Sequence, residues 1–201
     1  PVAFVVDLLA AVPSIVFGLW GGIVFGSSGI INGLRGAIIK ALGWIPIFSE
    51  DPSWSSATGT VYLASLVLAI MILPIIAATA REIFVQTPPG QIESALALGA
   101  TRWEVIRMTV IPFGMSGFIA GSMLGLGRAL GETMALYMAV APANDFRGSL
   151  FDGGTTFATA IANAAAEFNN PVSAGAYIAA GLVLFLLTFI VNSIARAIVN
   201  K

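Results

Sequence analysis

Two charged side chains lie inside an otherwise apolar or small-residue stretch of about thirty residues. Arg128 and Glu132 interrupt the run from Ile111 to Val140, within the segment Gly-Arg-Ala-Leu-Gly-Glu. An ionised side chain near a bilayer centre costs at least about 2.5 to 3.5 kcal/mol on insertion scales, so it persists where it is paired or lines a polar path. Because the two residues are four apart, they would share one face of a helix. The pattern favours either a self-neutralising pair that fixes helix packing or an anion pathway.

The composition independently indicates an integral membrane protein. Hydrophobic residues make up 58% of the chain and charged residues 9%, with a mean hydropathy of +0.95, whereas an average soluble domain carries about 25% charged residues. The formal net charge of −1 gives no field that would recruit nucleic acid. The chain contains no His and no Cys, which removes disulfides, histidine proton relays and the commonest metal ligands. We therefore expect no nucleic-acid binding, no metal site and no cofactor.

Four stretches are long enough to cross a hydrocarbon core about 30 Å thick, which needs about 20 helical residues. They cover approximately residues 2–25, 60–80, 109–140 and 172–195. Pro13 is expected to kink the first, and Asp7 to lie near its interface. The third is too long for one straight crossing, so it must tilt, protrude or break near one of three glycines: Gly125, Gly127 and Gly131.

The cationic residues between the spans predict which loops face the cytoplasm. If the spans alternate, one side carries Arg81, Arg102, Arg107, Arg196 and Lys201, and the other carries Arg35, Lys40 and Arg147. The positive-inside rule then places a loop of about residues 86–108 in the cytoplasm. Loops of about 27–58 and 141–171 are expected outside. Within them, residues 44–48 suggest partly embedded structure and the Ala-rich segment 157–168 a short surface helix.

The third span also carries a row of small residues before Arg128. Gly117, Gly121 and Gly125 repeat every four residues, a spacing that lets transmembrane helices approach closely. Packing explains this row, and a gating hinge is the alternative. Arg128 would lie about four helical turns past Pro112, close to the middle of the bilayer.

The predicted cytoplasmic loop has the sequence signals of two short helices separated by a turn. Thr87 is expected to cap the first helix, with Pro88 and Pro89 in its opening turn. Gly99 suits the end of that helix, and Thr101 with Glu104 forms a capping box for the next. The spacing alone also fits an ordinary turn lying on the membrane surface.

The spacing within this loop resembles the EAA loop of ABC-importer permeases. That pattern reads Glu-Ala-Ala, three residues, Gly, nine residues, then Ile-x-Leu-Pro; here Glu93, Gly99 and Pro112 are in register, with departures at Ser94, Thr109 and Ile111. The resemblance implies an all-α, polytopic transmembrane helical bundle of the type I ABC importer (MetI-like) kind. It also implies a coupling helix that docks in a groove of a cytoplasmic ATPase dimer, through Glu93, Ser94, Ala95, Gly99, Ala100, Thr101 and Arg102.

Residues 125–135, together with 7–21 and 69–77, resemble the phosphate-importer permeases of the PstC family. Met134-Ala135 favours that family over the companion PstA permeases, whose motif typically ends Gly-Glu-Thr-Ala-Pro. Members usually have Glu where Asp7 stands, and they carry further N-terminal spans. Residues 1–201 are therefore expected to be one permease domain, the C-terminal portion of a subunit in the bacterial or archaeal cell (inner) membrane. The implied partners are a PstB-like ATPase dimer, a PstA-like second permease and an extracytoplasmic PstS-like phosphate-binding protein.

The chemistry of Arg128 and Glu132 agrees with a phosphate path. A guanidinium offers two parallel donors to phosphate oxygens, while Glu132 would offset the charge of the empty site and weaken anion retention. The chain has no Gly-x-x-x-x-Gly-Lys-Ser/Thr loop, so ATP hydrolysis is assigned to the separate ATPase and the chain is expected not to be an enzyme. The main alternative is an importer of another oxyanion, such as molybdate or sulfate; an ion channel and an intramembrane enzyme are the other classes.

Overall fold

The computed structural model describes residues 2–49, 58–143, 148–164 and 171–199, and in these ranges the regular secondary structure is helical apart from one isolated bridge between Gly59 and Val140. A 3₁₀ turn covers Pro46–Phe48, and a π-helical segment covers Ile106–Val110. The α-helices are α1 (Val2–Ala10), α2 (Ser14–Ser27), α3 (Gly29–Leu42), α4 (Val61–Val85), α5 (Pro89–Ala97), α6 (Arg102–Val105), α7 (Ile111–Leu130), α8 (Met134–Ala139), α9 (Phe157–Ala164) and α10 (Pro171–Val199). The predicted all-α class is confirmed.

Three described helices are long and apolar enough to cross a membrane, or four spans if α1 and α2 count as one broken span. The long helices are Val61–Val85, Arg102–Leu130 and Pro171–Ala197. The first predicted span is interrupted before Ser14, where Pro13 has no N–H to donate and an extended ψ of 136°. The third breaks at Gly131, while its helix continues through Gly125 and Gly127. Four predicted spans thus become three long helices and one interrupted pair.

Several expectations concern residues at the margins of the described ranges. A short helix is confirmed in α9, and residues 165–168 of that prediction lie outside the described residues. Arg147 and Lys201, which entered the charge comparison, also lie outside them. The last seven residues of the predicted cytoplasmic loop, 102–108, are helical and belong to the long helix Arg102–Leu130. Which side of the membrane each loop faces stays a prediction.

The chain divides into two compact units. The first contains residues 1–11, 72–130 and 187–201, and here α7 packs on α4 through its glycines. A Cβ atom built on Gly121 would lie 2.9 Å from Thr79 Cγ2, and one on Gly125 would lie 2.8 Å from Ile72 Cγ2. Both distances are well below the optimal carbon–carbon separation of about 3.5 to 4.0 Å. The prediction that the glycine row serves close packing is confirmed.

The second unit contains residues 12–71 and 131–186, and in it α2 packs against α8. A Cβ atom built on Gly18 would lie 2.7 Å from the Ala135 carbonyl oxygen and 2.8 Å from Ala135 Cα. Because the obstacle is backbone, no side-chain rotation can make room for a larger residue. Gly18 therefore lets α2 touch the backbone of the first turn of α8.

The same unit contains an aromatic and cationic cluster of Arg35, Tyr62 and Phe151, which we call the Arg35 cluster. The Arg35 guanidinium carbon lies 5.6 Å from the Phe151 ring centroid, and the Phe151 and Tyr62 rings lie 5.4 Å apart. Arg35 and Phe151 are both buried. The Tyr62 N–H donates to the Leu150 carbonyl at 2.7 Å, which satisfies a donor at the start of α4 that has no partner within the helix. The cluster therefore ties α3, α4 and residues 150–151 together.

Candidate translocation and coupling sites

Arg128 occupies the last turn of α7, and its side chain is exposed. Its neighbour Gly127 faces α10: a Cβ atom built there would meet Asn192 Oδ1 at 3.8 Å. Asn192 is a side-chain amide within the apolar helix α10, and the sequence interpretation did not single it out. Asn192 could have been noticed in the sequence, because a polar side chain inside a membrane span is rare and commonly functional.

Glu132 lies in the break between α7 and α8, so the prediction that Arg128 and Glu132 share one helix face is wrong. The helix ends at Leu130, and the next residue is Gly131, a residue type that often follows the last helical position. The Glu132 side chain is buried, and its Oε1 accepts a hydrogen bond from the Ala135 N–H at 3.2 Å. It thereby satisfies one of the free donors in the first turn of α8.

Arg128 and Glu132 lie in different surroundings. Arg128 belongs to the first compact unit and Glu132 to the second. The Glu132 carboxylate is fixed by the α8 backbone, whose Ala135 packs against Gly18. Gly18 is thus a positioning residue that the sequence interpretation missed, since the contact depends on residues far apart in the chain. The transport roles of Arg128 and Glu132 stay predictions.

A cavity of ≈ 680 Å³ lies beside α8 within the second unit. None of the described residues that line it is charged, although its wall carries hydroxyl and amide groups. The polar lining residues are Ser65, Tyr137, Thr155, Thr156, Thr159 and Asn163. Since Leu136 and Tyr137 also line it, the cavity begins about one helical turn beyond Glu132.

The predicted helix cap at Thr87 is wrong. Thr87 does not cap α5; its buried hydroxyl donates to the Phe84 carbonyl at 2.8 Å and so closes the end of α4. Pro88 holds the N-cap position of α5 and makes no side-chain hydrogen bond there. Pro89 lies in the opening turn as predicted, whereas Pro88 lies one position before the helix. The Thr87 hydroxyl bonds to the helix before it and not to the helix after it. It can do so because a threonine hydroxyl can donate to a free helix carbonyl as well as accept from a free N–H.

Gly99 ends α5 as predicted, in a Schellman motif. The Gly99 N–H donates to the Leu96 carbonyl at 2.9 Å, and the Ala100 N–H donates to the Ala95 carbonyl at 3.2 Å. Gly99 has a φ of +85°, in the left-handed region where a side chain would be strained. The turn therefore requires glycine for its backbone conformation, not for lack of space, because nothing lies within 4 Å of a Cβ atom built there.

Thr101 and Glu104 form the predicted capping box at the start of α6. The Thr101 N–H donates to Glu104 Oε2 at 2.8 Å, and the Glu104 N–H donates to Thr101 Oγ1 at 3.4 Å. The two hydrogen bonds are reciprocal, so they fix the direction in which the long helix leaves the turn.

This turn presents exposed apolar side chains next to exposed charged ones. Leu98 is 89% exposed and Trp103 is 69% exposed, while Glu93 and Arg102 are also exposed. The sequence interpretation placed none of these apolar side chains in the coupling contact. An exposed apolar patch on a segment predicted to lie outside the bilayer commonly marks a contact with another protein. We call residues 86–105 the coupling segment.

The chain belongs to a family of transport permeases. The family model described as "Binding-protein-dependent transport system inner membrane component" matches residues 1–201. The chain therefore belongs to that family, and three of its described helices are long and apolar enough to cross a membrane.

The chain is similar to phosphate permeases from several bacteria. It is 53% identical over 199 residues to "Phosphate transport system permease protein PstC 2" of Mycobacterium tuberculosis, a match that covers 98% of this chain and 61% of that protein. It is 54% identical over 194 residues to "Phosphate transport system permease protein PstC" of Mycobacterium leprae, covering 96% of this chain and 60% of that protein. For the protein of the same name from Pasteurella multocida, the identity is 41% over 203 residues, covering 100% and 62%. The chain thus spans about three fifths of the length of these relatives.

Proposed function

We propose that this chain is part of the permease subunit of an ATP-driven phosphate importer and contributes to its translocation path with a second permease subunit. The folded coupling segment is the observation that carries this proposal. The names of the relatives, which are phosphate transport system permease proteins, support the choice of phosphate. The remaining partners are a cytoplasmic ATPase dimer and an extracytoplasmic phosphate-binding protein.

The coupling segment has the properties that transmission of force requires. Its turn is fixed by the Schellman motif at Gly99 and the capping box at Thr101, so its exposed surface keeps one shape. Leu98 and Trp103 supply apolar area for docking, and Glu93 and Arg102 supply charges that orient a partner. Because Arg102 begins the long helix that ends at Leu130, a displacement of the turn acts directly on the helix carrying Arg128. The chain itself hydrolyses nothing; ATP-driven closure of the partner rocks the membrane helices between two states.

The path itself uses an exposed cation and a fixed carboxylate. Arg128 attracts phosphate and offers it paired donors. Glu132, whose carboxylate is held by the Ala135 N–H, contributes a constant negative potential that keeps phosphate from being retained. Within the second unit, the described lining residues of the cavity beside α8 supply hydroxyl and amide groups that can solvate an oxyanion.

Uptake of labelled phosphate into vesicles holding the complete importer tests this function. Arg128→Ala should abolish uptake, because the proposed anion path then lacks its cation. The ATPase should still co-purify with this variant. Arg128→Lys should retain part of the uptake, since it keeps the charge and loses the paired geometry. Arg196→Ala is the matched control, because it removes an exposed arginine from the last turn of α10.

Two results would contradict the proposal. Normal uptake by the Arg128→Ala importer would remove Arg128 from the path. Stronger uptake of molybdate or sulfate than of phosphate would keep the transporter class and change its substrate.

A further inference from the structure

Helix α3 is too short to cross a bilayer. It has 14 residues, which correspond to about 21 Å at 1.5 Å per residue, against a hydrocarbon core of about 30 Å. It follows α2 after the single residue Ser28, whose ψ of 118° is extended and breaks the helix. The chain therefore changes direction at the end of α2 and continues as a separate helix.

The side chains of α3 divide into three sectors at about 100° per residue. The first sector packs inward and contains the buried Arg35 with the half-buried Ile31, Ile38 and Ile39. The second is polar or small and exposed, and it contains Asn32, Gly36 and Lys40.

The third sector is an exposed apolar stripe. Ile30, Leu34, Ala37 and Ala41 recur at intervals of four and three residues, which keeps them within about 60° of one another. Ile30 is 84% exposed and Leu34 is 50% exposed. Trp44, which extends the same spacing just past the helix, is 81% exposed.

We propose that this stripe is immersed in the membrane interface, so that α3 lies along the bilayer surface with anionic phospholipid as its partner. Three sectors are what such a helix needs: one against its own protein, one in lipid and one in water. Trp44 fits the level of the headgroups, where tryptophan is enriched. Lys40 borders the stripe, and the described helix carries no acidic residue, so its charge favours anionic headgroups.

The preceding helix also carries exposed apolar side chains. Val16, Trp20 and Ile23 of α2 are exposed, with Ile23 at 71%, and they recur at the same intervals of four and three residues. Since α2 is the longer part of the interrupted first span, these residues are expected to face lipid as well. The Arg35 cluster then fixes the rotation of α3, because the buried Arg35 lies on a different sector from the stripe.

Site-directed spin labelling tests the immersion. Residues 1–201 contain no cysteine, so one introduced cysteine gives one label once any cysteines elsewhere in the complex are replaced. Leu34→Cys reports on the stripe, and Gly36→Cys is its matched control, because Gly36 is also exposed and has no atom within 4 Å of an added Cβ. The measurement is the accessibility of each nitroxide to oxygen and to a water-soluble nickel chelate. The sample is the full importer in nanodiscs of phosphatidylcholine and phosphatidylglycerol.

We expect the label at position 34 to be severalfold more accessible to oxygen than to the nickel chelate, and the label at position 36 to show the reverse. A label at position 34 that favours the nickel chelate would place the stripe in water and overturn the proposal. A label there that is shielded from both reagents would also overturn it, by indicating a covering protein such as a second permease subunit or a binding protein. None of these readouts depends on phosphate transport. A result against the lipid contact would therefore leave the proposed function untouched, and a result against the proposed function would leave the lipid contact untouched.

Discussion

The coupling segment and the Arg35 cluster both hold a defined shape, but over very different distances along the chain. In the coupling segment, the capping box joins Thr101 to Glu104, three positions away, and the Schellman motif joins Ala100 to Ala95. Around the Arg35 cluster, Phe151 contacts both Arg35 and Tyr62. Nearby, the Ser149 hydroxyl donates to the Ser49 carbonyl, 100 positions away. One region is built from neighbours in the sequence, and the other from distant segments.

This difference predicts how each region responds to substitution. A locally built turn can lose its shape while the rest of the protein stays folded, because few distant contacts depend on it. A cluster assembled from distant segments is formed only when the whole unit is folded, so damage to it should lower the stability of that unit. The coupling segment should therefore fail in function, and the Arg35 cluster in stability.

The largest effect is expected for Phe151→Ala. Phe151 is 1% exposed, and truncating a buried phenylalanine typically costs about 3 to 5 kcal/mol. The thermal unfolding midpoint of the full-length permease in detergent should fall clearly. Phe157→Ala is the control, because Phe157 is 46% exposed and should have a much smaller effect. Equal shifts for the two variants would mean that the Arg35 cluster contributes no more to stability than an exposed phenylalanine does.

The second-largest effect is expected for Gly99→Ala. This change forces a side chain into a left-handed conformation, which costs about 1 to 2 kcal/mol. ATP-driven phosphate uptake should fall several-fold, while the unfolding midpoint changes little. Gly90→Ala is the matched control: Gly90 also has open space around an added Cβ, but it lies in α5 without a positive φ. If uptake by the two variants were equal, the left-handed turn would not be needed for coupling.

The smallest effect is expected for Thr101→Ala, which removes one half of the capping box at a cost of about 1 kcal/mol. Hydrogen exchange at the Glu104 amide should become faster, since that N–H loses its acceptor Thr101 Oγ1. Thr101→Ser keeps the hydroxyl and should preserve protection. Unchanged exchange in Thr101→Ala would mean that the turn is held by the Schellman motif alone.

The same contrast explains which features could be predicted from the sequence. Gly99, Thr101 with Glu104, and the glycine row of α7 were predicted correctly because each depends on residues within a few positions or on a simple spacing. The apolar lengths likewise predicted the long helices. A break near Gly125, Gly127 or Gly131 was one of the alternatives to tilt or protrusion, and α7 ends just before Gly131. Helix α3 was not predicted, since residues 27–58 were assigned only as an outer loop.

The candidate site was only partly predictable for a related reason. The four-residue spacing of Arg128 and Glu132 suggested one helix, whereas the glycine between them ends α7. Gly18 could not be identified, because its contact with Ala135 joins segments more than a hundred residues apart. Thr87 was misassigned because a threonine between two helices can bond to either one, and only the fold decides.

The π-helical segment Ile106–Val110 sets the rotation of one end of the long helix Arg102–Leu130 relative to the other. Its closing hydrogen bond runs from the Ile111 N–H to the Ile106 carbonyl, five residues back, so the segment holds one residue more than an α-helical turn. One residue corresponds to a rotation of about 100° around the helix axis. If this segment tightened to α-helical geometry, the glycine row and Arg128 would turn relative to the coupling segment even though the helix remained continuous. The wide turn therefore sets the angular offset between residues 102–105 and the glycine row of α7 that packs on α4.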